Sequence, residues 1–169
     1  MNVRAAIRTL VIAVPLLLGA TTAQATTSVS PTDATGLTVA APDSVLQVSE
    51  VRSFRNQATV QCVDESYDHG LRAFPCNGLG FQQWNVTVWS DATRELRNVA
   101  TGRCVDHSFD YGLRAIPCNG LGFQRWIQTP MPNGGVMLQN QATHWCVDDS
   151  AQYGLRALSC NGLSFQTWF

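Results

Sequence analysis

Lysine is absent from the 169 residues: all 11 basic side chains are arginine, set against 12 acids for a formal charge of -1. That balance excludes the basic surface expected of a nucleic-acid binder or a polybasic membrane anchor. Charge of either sign is scarce, at 14% of the chain, against about 25% in ordinary soluble proteins. Cys-x-x-Cys pairs, the close spacing that structural zinc favours, are also missing. What is plentiful is apolar and sulfur-bearing. Hydrophobic residues make up 45%, which excludes disorder over the whole length, and there are six cysteines. The chain has room for one ordinary domain.

The amino terminus reads as a targeting segment. Arg4 and Arg8 precede an apolar run from Thr9 to Ala20, and Ala23-Gln24-Ala25 follows. The run is shorter than the roughly 20 residues that span a bilayer. A charged start, an apolar centre and a small-residue triplet predict a secretory signal peptide over 1–25, cut before Thr26. No Arg-Arg pair is present, which favours the general secretory route. Cleavage leaves nine arginines against 12 acids, a formal -3. It also places the cysteines where disulfides persist. Residues 26–47, rich in Ser, Thr, Pro and Ala, read as a flexible leader or linker.

The remainder is one unit written three times. Arg55–Trp84 (RNQATVQCVDESYDHGLRAFPCNGLGFQQW), Arg97–Trp126 (RNVATGRCVDHSFDYGLRAIPCNGLGFQRW) and Gln139–Trp168 (QNQATHWCVDDSAQYGLRALSCNGLSFQTW) align without a gap at a constant step of 42. The repeats run over about 51–92, 93–134 and 135–169. Within the first, Val51–Asn56, Gln61–Asp64, Leu71–Phe74 and Gln82–Val88 are expected as strands, broken by turn residues. Runs this short exclude helices of ordinary length. Propellers need at least about four blades, so three units point to a closed three-fold β barrel. The third tryptophan is the penultimate residue, and no fourth unit is expected.

The cysteines follow the same period. Cys62, Cys104 and Cys146 are an odd set, so a symmetric scheme joins a first to a second cysteine, within a unit or between units. The local scheme is Cys62–Cys76, Cys104–Cys118 and Cys146–Cys160. Each bridge then closes a loop of about 15 residues, worth roughly 3 kcal/mol.

Three copies of a Cys-Val-Asp…Cys…Gln-x-Trp unit resemble the ricin B-type (R-type) β-trefoil lectins over residues 48–169. The resemblance implies an all-β fold with three-fold pseudosymmetry: a twelve-stranded barrel capped by hairpins, with Trp84, Trp126 and Trp168 in a shared core. It also implies a shallow saccharide pocket in each repeat. There Asp64, Asp106 and Asp148 would take sugar hydroxyls, held by Gln82, Gln124 and Gln166. Strand alternation in Gly-Leu-Arg-Ala-Phe-Pro-Cys turns Arg72 and Phe74 to the face opposite Leu71 and Ala73. The family places a polar residue and a stacking aromatic at these two positions. Here they hold Arg72 and Phe74, Arg114 and Ile116, Arg156 and Leu158. Galactose-binding relatives commonly carry an amide in place of the arginine, and an asparagine where this chain has Phe81, Phe123 and Phe165. These departures leave open a different sugar, such as an acidic one read by arginine, or lost binding; an arginine paired with its own repeat's aspartate would fill the pocket. If stacking ranks the pockets, Phe74 makes the first repeat strongest. Tyr67, Phe109, Tyr111 and Tyr153, in the loop after the aspartate, offer an alternative face.

Catalysis is not expected. His69, His107 and His144 occupy different places in the repeat, and no nucleophile–histidine–acid set is visible. No cofactor and no metal is expected. The expectation is a secreted, monomeric, lectin-like protein with glycans or polysaccharide as partners. Its alternative is a secreted trefoil that binds a protein and has no working sugar pocket. Asn85-Val86-Thr87 forms a glycosylation sequon.

Overall fold

A computed structural model describes residues 49–169; the expected signal peptide and leader, 1–25 and 26–47, lie outside them. Eleven strands occur among the described residues. They are β1 (Ser49–Arg52), β2 (Gln61–Ser66), β3 (Gly70–Pro75), β4 (Trp84–Val88), β5 (Arg94–Asn98), β6 (Arg103–Ser108), β7 (Gly112–Pro117), β8 (Trp126–Pro130), β9 (Val136–Asn140), β10 (Trp145–Ser150) and β11 (Gly154–Ser159). All pairings are antiparallel.

Each Cys-Val-Asp segment lies on the first strand of a hairpin: β2–β3, β6–β7 or β10–β11. The return strand opens on Gly70, Gly112 or Gly154, with φ of +66°, +68° and +67°. Only glycine takes that left-handed turn without a Cβ penalty. The hairpin is clamped by a disulfide inside its own repeat: Cys62–Cys76, Cys104–Cys118 and Cys146–Cys160.

The barrel closes through the tryptophans. Trp84 opposes Arg52 in its own repeat and Asn98 in the next. Trp126 likewise opposes Arg94 and Asn140. Trp168 bridges Val136 and returns to Asn56 in the first repeat. The twelfth strand implied by the family is thus reduced to bridges at Trp168, reinforced by reciprocal backbone bonds between Arg55 and Phe169. The result is a β-trefoil: a barrel with three hairpins across it.

All three indoles are fully buried. Each indole N–H donates at 3.1 Å to a valine carbonyl of its own repeat, Val63, Val105 or Val147. Burying a large aromatic is stabilising only if its polar atom is paired, and these bonds supply the partner. Phe54, Val86, Leu96 and Leu138 complete the buried centre.

The first strand runs Ser49–Arg52 and not Val51–Asn56, with isolated bridges at Arg55 and Asn56, and the fourth begins later than expected. Gln82 does not begin a strand; it ends a single 3-10 turn, Gly80–Gln82, and β4 starts at Trp84. The glutamine side chain explains the difference. Its oxygen accepts from Asn77 N at 2.7 Å and its amide donates to Pro75 O at 3.0 Å, which folds the chain back on itself. Gln124 and Gln166 do the same in the other repeats.

Candidate functional site

The cross-strand register of each hairpin sets aspartate directly opposite arginine: Asp64 with Arg72, Asp106 with Arg114, Asp148 with Arg156. In every repeat the arginine Nε donates to the aspartate Oδ1, at 3.0, 3.0 and 3.1 Å. The aspartates are buried. The arginine side chains are about a third exposed, at 32%, 34% and 32%. Of the alternatives the sequence leaves open for the arginine, this geometry contains the ion pair. Of the pair, the arginine is the partner that solvent reaches, since the aspartate is buried.

The glutamines are placed less uniformly. Gln82 donates to Asp64 Oδ2 at 3.2 Å. Gln124 and Gln166 donate to the carbonyls of Pro117 and Ser159. Their first task is therefore the turn before the tryptophan, and support of the aspartate is visible only in the first repeat.

An aromatic ring lies against each arginine, from two different places in the sequence. The Arg72 Cζ is 4.3 Å from the Phe74 ring centroid. Arg114 lies 4.3 Å from Tyr111, and Arg156 lies 4.4 Å from Tyr153. Tyr111 and Tyr153 occupy the place of His69. So where the strand offers Ile116 or Leu158, the loop supplies the ring instead. The premise for ranking the first repeat highest, that the others lack a π face, does not hold in the structure. Tyr111 and Tyr153 are also the more open rings, 69% and 62% exposed against 39% for Phe74.

At the third repeat these groups line a surface depression: Asp148, Tyr153, Arg156, Leu158, Asn161 and Phe165. It unites Asp148, Arg156 and Leu158, expected as pocket residues, with Tyr153, expected as an alternative face, with Phe165, at the family's asparagine position, and with Asn161, which the sequence did not single out. The signal for Tyr153 was present, as an aromatic just before the hairpin glycine. Asn161 and Phe165 sit in the loop after the second cysteine, whose return over the pocket is a tertiary effect.

The residue after each aspartate points the other way, into the joint with the next repeat. Glu65, His107 and Asp149 are all buried, and each reaches into the following repeat. Arg103 bonds Glu65 at 3.3 Å, and His107 lies against Thr143. Thr59 closes the ring on Asp149. Burial pushes the carboxyls of Glu65 and Asp149 up, opposed by those partners, and pushes the His107 imidazole down.

A family model, the ricin-type beta-trefoil lectin domain, matches residues 50–168. The chain belongs to that family. Carbohydrate binding is thereby established at the level of the family. Among solved structures, a mosquitocidal holotoxin is 15% identical with a TM-score of 0.65; 72% of this chain is covered, but only 16% of the toxin. The designed three-fold symmetric protein ThreeFoil is 16% identical with a TM-score of 0.63, over 70% of this chain and 95% of the design. A ricin B-like lectin of Macrolepiota procera, solved in complex with lactose, is 15% identical with a TM-score of 0.60, over 70% and 92%. Likeness at these identities is likeness of fold. No curated protein sequence matches the chain. In this lectin domain the Asp–Arg hairpins repeat faithfully, while the rings that flank them do not.

Proposed function

We propose that the protein is a secreted saccharide binder with up to three sites, one per Asp–Arg hairpin, and that the third repeat holds the strongest. The observation that carries this reading is the depression where the Asp148–Arg156 pair, the Tyr153 ring and Phe165 meet. A sugar presents hydroxyls on its edges and C–H groups on its faces. It therefore needs a fixed polar group beside a flat apolar one, and Arg156 and Tyr153 supply that pair. The partly exposed Arg156 guanidinium favours ligands rich in acceptor oxygens, including sugar carboxylates.

Secretion rests on the amino-terminal segment and on the three disulfides. Among the described residues no helix is long and apolar enough to cross a membrane. Shallow sites bind weakly one at a time, so a polymer that engages several at once would raise the net affinity.

A glycan array probed with the secreted protein and with Asp148→Ala tests the reading. Reproducible hits that weaken in the variant support it. Silence across neutral and acidic glycans would overturn it and favour a protein-binding trefoil. The intact mass of the exported chain gives a separate check on secretion, with Thr26 expected as the first residue.

A further inference from the structure

A second groove lies between the β4–β5 hairpin and residues 118–120, at the disulfide-bonded base of the β6–β7 hairpin, and neither Asp106 nor Arg114 lines it. Trp84, Val86 and Leu96 turn into the core. Asn85, Thr87, Glu95 and Arg97, which alternate with them, therefore face outward. In the pairing Thr87 stands opposite Glu95, and Asn85 opposite Arg97. Trp89 continues the outward row and also lines the groove.

The matching hairpin one step on, β8–β9, carries different chemistry. At the step of 42, Asn85, Trp89, Glu95 and Arg97 become Ile127, Met131, Met137 and Gln139. The backbone pairing is the same, so the fold does not require the polar set. The space differs as well. A side chain at Gly162 would meet Met131 Cε at 3.7 Å, whereas one at the matching Gly120 would meet nothing within 4 Å. The Gln139 amide likewise lies 3.4 Å from Cys160 Sγ. The β8–β9 hairpin fills this gap with its own side chains, and the β4–β5 hairpin leaves it open.

Two polar groups in the open version lack partners among the described residues. Trp89 Nε1 is buried with no acceptor. No hydrogen bond or ion pair holds the Glu95 carboxyl, although burial pushes it up and the nearby charges of Arg125 and Arg97 draw it down. Unpaired polar groups of this kind are destabilising, yet the methionines at the matching positions would remove both. The Arg125 Cζ sits over one face of the indole, 3.4 Å from the ring centroid.

We propose that this groove is a second, unrepeated saccharide site. A sugar hydroxyl would donate to Glu95, the sugar's C–H face would lie against Trp89, and Asn85, Thr87 and Arg97 would contact further hydroxyls. The proposal does not rest on the Asp–Arg pockets.

The test follows the Trp89 indole N–H in nitrogen-15 NMR spectra of the secreted chain, titrated separately with galactose, glucose, mannose and N-acetylglucosamine. At least one sugar is expected to shift that resonance. Glu95→Met, which installs the residue found at the matching Met137, is expected to weaken the response at least tenfold. Asp148→Ala is expected to leave it unchanged. The proposal is overturned if none of the four sugars moves the Trp89 resonance, if Glu95→Met responds like the parent, or if Asp148→Ala abolishes the shift. A Trp89 response alongside silent Tyr153 and Arg156 resonances would uphold this site and count against the Asp–Arg pockets.

Discussion

His107 Nδ1 lies 2.7 Å from Thr143 Oγ1, tying the second repeat to the third. The same place in the other repeats holds Glu65, bonded to Arg103, and Asp149, bonded to Thr59. Each inter-repeat joint thus uses a different ionisable side chain at one symmetric position. Trp145 adds to the second joint by stacking on His107, with ring centroids 5.6 Å apart.

The histidine joint predicts a pH effect of known sign. Burial holds the His107 pKa below its ordinary 6.5. Between the depressed value and 6.5, the unfolded chain binds more protons than the native one. Stability therefore rises with pH through that window and is lost as pH falls through it. The raised carboxyls of Glu65 and Asp149 act oppositely: stability falls as pH climbs from their ordinary values through the raised ones. They are common to the parent and to His107→Gln, so the difference between these proteins isolates the histidine. Urea midpoints from pH 5 to 7 should fall more steeply in the parent on acidification; parallel curves would count against the joint.

A backbone substitution should stabilise the fold. Val60 and His144 take φ of +61° and +59° where the second repeat has Gly102 at +69°. A β-branched residue in this left-handed region costs about 1–2 kcal/mol. Glycine removes the strain but returns part of the gain as unfolded-state entropy. Val60→Gly should add roughly 0.5–1 kcal/mol, and Gly102→Val should lose about 1–2 kcal/mol, both read from urea midpoints.

Binding at the third site should depend on its loop ring. Tyr153→Ala is expected to cost about 1–2 kcal/mol in binding, with Leu158→Ala costing less. Phe74→Ala should leave the third site unchanged. Titration calorimetry with the sugar found on the array checks the order. A larger loss from Phe74→Ala than from Tyr153→Ala would restore the first repeat as the principal site.

Removing one disulfide should be felt in stability and binding together. Cys146 and Cys160 clamp the hairpin that carries Asp148 and Arg156. Replacing both with alanine should lower stability by about 3 kcal/mol. Chemical denaturation measures that loss. Sugar affinity should drop in the same protein, because the pocket's two polar groups sit on opposite strands of the loosened hairpin.

Much of this architecture can be read from the letters alone, because a three-fold repeat constrains itself. A step of 42 that carries Cys, Asp, Gly, Cys and Trp together forces equivalent strands, equivalent bridges and one shared core. Strand alternation likewise places Arg72 beside Phe74, and hairpin geometry sets Asp64 against Arg72. These are short-range relations governed by a period of two and by a glycine turn.

Contacts that depend on where one repeat's loop lands against another were settled only in three dimensions. Tyr111 and Tyr153 took the ring position from Ile116 and Leu158 because the loop folds back over the guanidinium. Gln82 left the expected strand because its side chain had a turn to satisfy. The Glu95 groove is open because nothing occupies the space beside Gly120 that Met131 fills beside Gly162. Repetition specifies what all three units share, whereas a site arises where the units differ. Its shape depends on long-range packing between non-identical side chains, which no local periodicity encodes.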